Sequence, residues 1–307
     1  MPTGSDLQQV GTDTGSADLW VVTDLCGDSC SHANVPLYPH GDLTQAGQDV
    51  HLLYGDSRTG THASGPIGTD TVGIAGMSVP DQYFAAIVDT NTTIPQTGSS
   101  GILGLGFPPI SVIWRQLFAT NMTWVIPPIS KRWEASLEDS SAHWDHKSSF
   151  GDSTGHASST SGSDKDRGTT DRSFVSPADS FATLGPFFTR LVTWEVLSRP
   201  LVVTSLQRDT FSLSETTGTL SLGELPFGLA DEDLTWVPVR GYPPSQGGLP
   251  PPPDAPYEVY PLVWEIPVDD VYLDGMKLPR STLSPPSISL SALIDTVRVD
   301  IVTLHRS

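Results

Sequence analysis

The chain has 307 residues, with 35 acidic against 16 basic side chains and a formal net charge of −19 at pH 7. That length buries a sizeable core in one large or two ordinary domains. The negative charge repels phosphate backbones and anionic lipid, so nucleic acid and membrane surfaces are excluded as expected partners. Only 17% of residues are charged, and there are 28 Gly and 27 Pro, a balance that favours β-rich structure with long loops over a helical bundle. No apolar run reaches the ~18 residues of a membrane-spanning helix, so a soluble chain is expected.

Leu7 and Val10 open a first strand, Asp13-Thr14-Gly15-Ser16-Ala17-Asp18 is a tight polar turn, and Leu19-Trp20-Val21-Val22 is a second strand. Val50 to Tyr54 is strand-like and breaks at Gly55-Asp56-Ser57, after which a hairpin returns through Gly60 to Thr69-Asp70-Thr71-Val72. Tyr83 to Val88 predicts another strand, and Gly101-Ile102-Leu103-Gly104-Leu105-Gly106 is an apolar run punctuated by glycine. Helical periodicity is convincing only near Ile113–Ala119 and Phe187–Leu197. Composition shifts at Asn121, and Ser, Thr and Gly dominate Ser148–Phe174. Such a stretch cannot bury enough surface to offset its chain entropy, so residues 121–180 are expected to form a disordered insert. Gly241 to Pro256, with Pro250 to Pro253, predicts an extended, exposed loop. Strand-like segments resume at Thr219–Leu222, Leu234–Val239, Val263–Tyr272 and Ser289–Ile294. The fold class is mostly β.

The first residues lack the basic and apolar regions of a signal peptide, yet three features favour a secreted origin. Cys26 and Cys30 are close enough to close a small loop, Asn91 and Asn121 head N-x-Thr sequons, and the balance is acidic and Lys-poor. The two cysteines either pair or stand as buried thiols; a loop this short would stabilise by roughly 2 kcal/mol if closed. Two cysteines are too few for a protein-only zinc site and the eight His show no ligand spacing, so neither metal nor cofactor is expected.

Asp13-Thr14-Gly15-Ser16 carries the most chemistry. A carboxylate at a strand-to-turn corner, beside backbone N–H groups and a hydroxyl, is held ionised and fixed in plane. Gly15 lacks a Cβ and lets another group approach. A weaker two-fold echo exists in Ala292-Leu293-Ile294-Asp295-Thr296. If that second loop faced the first, the two carboxyls would share one proton and perform acid–base hydrolysis without metal. Alone, the tetrapeptide is equally an ordinary turn.

Asp13 to Val21 closely resembles the first active-site motif of pepsin-like aspartic proteases, and further matches follow in family order. The resemblance implies a small disulfide at Cys26 and Cys30, and a flap at Tyr54-Gly55-Asp56 with its hairpin. It also implies a supporting apolar segment at Gly101–Gly106. Thr219–Glu224 and Leu234–Val239 look like strands leading between the lobes, and Val263-Trp264-Glu265-Ile266 resembles the opening of the second lobe. The long flap and the inserts are most like extracellular fungal members. By position, Asp13 and Asp295 would form the catalytic dyad, and Thr14, Gly15, Ser16, Trp20 and Thr296 would support it. Tyr54, Gly55 and Asp56 would cover a bound peptide, with Trp20 packed on Tyr54. Tyr54 is otherwise a strand-end aromatic, and Asp18 and Asp56 read as solvated turn residues. The implied fold is the bilobal acid-protease fold, with residues 1–229 as a nearly complete N-terminal lobe and 230–307 as an incomplete start of the second.

The second motif departs from the family. Val297 stands where glycine belongs, residues 298–307 do not resemble the usual continuation, and Gly11-Thr12 replaces an apolar pair before Asp13. The expectation is an aspartic endopeptidase by family, extracellular and monomeric, acting on peptide or protein. This truncated copy is expected to be impaired or inactive. Two alternatives are a catalytically dead peptide-binding or decoy protein of the same fold, and a symmetric pair of first lobes each donating Asp13.

Overall fold

The computed structural model describes residues 7–27, 30, 35–55, 60–121, 177–206, 218–280, 289–296 and 301–306. Between Leu7 and Gly104 lie β1 (Leu7–Asp13), β2 (Leu19–Val22), β3 (Thr44–Tyr54), β4 (Thr61–Ile74), β5 (Met77–Ile87), β6 (Asp89–Thr90) and β7 (Gly101–Gly104). Later come the short strands β8 (Val202–Leu206), β9 (Gly218–Leu222), β10 (Gly241–Tyr242), β11 (Tyr260–Pro261) and β12 (Glu265–Pro267). The last are β13 (Tyr272–Leu273), β14 (Met276–Lys277), β15 (Ser291–Leu293) and β16 (Ile301–Arg306). One eight-stranded sheet runs β16–β1–β7–β2–β5–β4–β3, with β6 on β4. Because β16 pairs with both β1 and β4, the sheet curls back on itself.

Both faces of this sheet are covered. Trp20 and Val22 join Val50, Leu52, Ile67, Ile87 and Ile102 on one side, where α1 (Val112–Asn121) adds Ile113 and Leu117. Leu19 and Val21 join Val10, Val72, Phe84 and Leu103 on the other, where α3 (Phe187–Thr193) adds Phe187 and Leu191. Every residue of β2 is therefore buried, which is why it reads as an unbroken apolar run. Between the two helices, α2 (Phe181–Leu184) contributes Phe181 to a third cluster with Trp114 and Phe118. Cys26 and Cys30 form a disulfide across a Cα separation of 5.7 Å.

Several sequence expectations shift. Asp18 is 5% exposed, not a solvated turn residue. Its carboxylate accepts from Ser111 Oγ (2.5 Å), Val112 N (2.8 Å) and Ile113 N (3.3 Å), at the start of α1. The first N–H groups of a helix have no internal partner and carry partial positive charge, so an anion buried there is held by both. Leu234–Val239 forms no strand; Trp236 is 60% exposed. The helix expected to reach Leu197 stops at Thr193, because Glu195 adopts a left-handed φ of 54°. The Pro-rich loop is not wholly exposed: Leu249 is buried beside Trp114 and Phe118. Of the expected disordered insert, 122–176 lie outside the described residues. Its end at 177–180 is ordered, with Ser180 accepting from the buried Trp114 indole at 2.8 Å.

Thr12 is fully buried in β1, and its hydroxyl has no hydrogen-bond partner. Replacing that hydroxyl by a methyl removes an uncompensated desolvation, so Thr12→Val should stabilise the fold by about 1 kcal/mol in urea unfolding. Removing the anion at the head of α1 has the opposite sign, and Asp18→Ala should cost roughly 3 kcal/mol in the same measurement.

Candidate active site

The polar turn after β1 is clasped by the glycine-punctuated strand beside it. Leu105 N donates to Asp13 O (2.7 Å), Gly106 N to Ser16 O (2.8 Å) and Gly104 N to Asp18 O (3.0 Å). The approach is so close that a Cβ on Gly104 would stand 2.4 Å from the Ala17 carbonyl carbon. Held this way, Asp13 is 4% exposed. One of its oxygens accepts from Gly15 N (2.8 Å) and the other from Ser16 Oγ (2.6 Å).

The second Asp-Thr pair comes to the same place. β15 pairs antiparallel with β12, and Ile294 N continues the ladder to Trp264 O at 2.9 Å. Thr14 Oγ1 donates to Ile294 O (2.8 Å) and accepts from Thr296 N (3.0 Å), while Thr14 N donates to Thr296 Oγ1 (3.2 Å). Two turns are thus gripped through each other's threonines. A Cβ on Gly15 would lie 2.8 Å from the Cγ and both carboxylate oxygens of Asp295, so only glycine leaves room for that carboxylate. Burial raises the Asp13 carboxyl above the usual 3.8, the Ser16 and Gly15 hydrogen bonds oppose the rise, and the Asp295 charge and hydrogen bond add to it.

Above the turn, β3 ends at Tyr54 and Gly55 follows with φ 74°. Trp20 Nε1 donates to the Tyr54 hydroxyl at 2.7 Å, with ring centroids 6.3 Å apart. Tyr54, at the strand end, is thus both hydrogen-bonded to and packed against Trp20. Its phenol is pushed well above 10.0, first by burial and then by the charges of Asp18 and Asp13, against hydrogen bonds from Trp20 and Ser16. Asp56, expected in the flap, lies outside the described residues, as does Val297. Where the chain returns at Gly60, Asn91 takes up both ends of its amide: Nδ2 donates to Gly60 O (3.0 Å) and Oδ1 accepts from His62 N (2.7 Å). Asn121 closes α1. Among the described residues, no three His, Cys, Asp or Glu are placed to hold a metal ion.

Sequence reasoning missed Asp18 and Ser111, which hold the turn to α1, although Asp18 lies only two residues past Ser16. It paired Asp295 with Asp13 through the family resemblance, while the residues alone offered only an echo of one motif in the other.

A curled β sheet presenting a buried carboxylate to a second one, beneath a hairpin, defines a paired-carboxylate β protein. Residues 3–125 match the model of the family described as eukaryotic aspartyl protease. It is 36% identical to rhizopuspepsin-2 of Rhizopus niveus over 103 residues, 33% of this chain and 25% of the relative. It is 33% identical to an aspartic protease of Phaffia rhodozyma over 125 residues, covering 39% and 28%. A pregnancy-associated glycoprotein of Equus caballus is 37% identical over 108 residues, covering 34% and 26%. The chain spans about a quarter of the length of the curated relatives it matches.

Because Asp13 binds its proton more tightly folded than unfolded, its contribution to stability is complete below 3.8 and is lost as pH rises through the raised value. Asp13→Asn should therefore gain melting temperature over the parent on going from about pH 3 to about pH 7, as read by calorimetry.

Proposed function

We propose that this chain is an aspartic endopeptidase that hydrolyses peptide bonds with Asp13 and Asp295 as its acid–base pair. The observation that carries the reading is the Asp295 carboxylate seated on Gly15, beside the buried and proton-binding Asp13. Two carboxyls so close share a single proton. The ionised one takes a proton from a water, whose oxygen bonds to the carbonyl carbon of the scissile peptide. The protonated one gives its proton to the carbonyl oxygen. A proton then moves to the amide nitrogen, the C–N bond breaks, and a carboxylic acid and an amine leave with the shared proton restored. Thr14 and Thr296 hold the two turns, Ser16 and Gly15 orient Asp13, and Trp20 positions Tyr54, whose phenol stays protonated over the substrate. Both carboxylates come from one chain, which supports action as a monomer without a second copy. The disulfide and the acidic surface support a secreted protein acting on peptide or protein.

One sequence fact favours a second reading, a peptide-binding protein with little turnover. Ser16 stands three residues after Asp13, whereas Arg298 stands three after Asp295, and Val297 replaces the glycine between. The second carboxylate thus has neither the small residue nor the hydroxyl that serves the first.

The test is cleavage of a denatured protein by the full chain at about pH 3–5, with a statine-type peptide inhibitor and Asp13→Asn as controls. Inhibitable cleavage, falling at least ~10³-fold in Asp13→Asn and rising in Val297→Gly, is the expected outcome. A folded chain that binds the inhibitor without cleaving would establish the second reading, and one that does neither would overturn both.

A further inference from the structure

Asp13 and Asp295 are linked by a second route that runs through one side chain. Asp13 O accepts from Leu105 N (2.7 Å), Leu105 O accepts from the Trp264 indole Nε1 (3.0 Å), and Trp264 O accepts from Ile294 N (2.9 Å), the residue before Asp295. The Trp264 ring lies on Phe107 with centroids 4.4 Å apart and planes inclined by 43°. Leu105 is thus the hub: its N–H holds the carbonyl of one aspartate, and its carbonyl holds the scaffold of the other. The β12–β15 ladder that carries Asp295 is only three residue pairs long, too short to hold a carboxylate rigidly by itself. The threonine grip joins the turns at their tips, where its bonds run from 2.8 to 3.2 Å. An indole, with two rotatable bonds and one directional N–H, supplies the missing constraint behind the turn.

We propose that Trp264 is a positioning residue that sets the placement of Asp295 against Asp13 through Leu105. The inference rests on reading this pair as the hydrolytic centre. Trp264 touches no reacting atom; it acts through Ile294 on one side and Leu105 on the other. The variant Trp264→Phe keeps an aromatic ring for Phe107 and removes the N–H together with part of the indole. Trp236→Phe, at an exposed tryptophan outside this route, is the control.

In the full chain, Trp264→Phe should lower kcat about 30-fold with KM within about threefold, because a small misplacement of a reacting group acts on the chemical step. The bell-shaped pH profile of kcat/KM should narrow, since carboxyls that move apart titrate with converging apparent pKa values. Trp236→Phe should change neither. An unchanged kcat, or a loss of kcat with an unaltered profile, would overturn the proposal and leave Trp264 as packing alone. A carbon-13 carboxyl titration decides the matter whether or not the chain cleaves. In the parent, Asp295→Asn should shift the Asp13 titration; that response should shrink in the Trp264→Phe background, and its persistence would overturn the inference. Absence of any response in the parent would instead overturn the hydrolytic reading. If Trp264→Phe does not fold, Phe107→Leu carries the test: it loosens the ring and keeps the N–H. It should narrow the profile with a roughly threefold loss of kcat, and an unaltered profile there would count equally against the proposal.

Discussion

The hydroxyl of Thr14 joins two stretches of chain 280 residues apart, donating to Ile294 O while accepting from Thr296 N. Everything at the candidate site depends on that junction. It seats the Asp295 carboxylate on Gly15 together with the route through Trp264; by itself, Asp13 is a buried acid satisfied by Gly15 and Ser16. With it, the Asp295 charge and hydrogen bond add to the burial that already raises the Asp13 carboxyl.

The sheet makes the junction worthwhile by immobilising one side of it. The turn after β1 is pinned from behind by Gly104, Leu105 and Gly106 and from the side by α1 through Asp18, while the Trp20–Tyr54 bond ties β2 to the end of β3. Each contact satisfies a polar group that burial would otherwise leave without a partner, so the site's rigidity and its burial are one fact. On the Asp295 side the frame is thinner: three ladder pairs, a threonine and the Trp264 bridge. The two carboxylates are accordingly unlike, Asp13 buried and Asp295 exposed, despite their similar dipeptides.

Strands around Leu19–Val22, Val50–Tyr54 and Gly101–Gly104 were legible because alternation, or a run buried on both faces, leaves a mark in residue order. The Asp13 turn was legible for a related reason, since its neighbours in sequence are also its hydrogen-bond partners. Leu234–Val239 misled because apolar residues spaced like a strand are not bound to pair. Asp18 misled because a carboxylate in a polar turn looks solvated until a distant helix start is placed against it. Ser180 was assigned to a featureless stretch by composition, yet one hydroxyl bond to Trp114 brings it into the core.

Residue order by itself determined the β class, the Asp13 turn with its supporting glycine segment, and the match to the eukaryotic aspartyl protease family model over 3–125. These rest on contacts between near neighbours or on the period of a strand. The cap that Asp18 provides and the route through Trp264 were decided only by tertiary structure, as was the contact of Asp13 with Asp295 that the family resemblance had implied. Each joins residues dozens to hundreds of positions apart, and a hydrogen bond between them imposes no pattern on the chain that lies between.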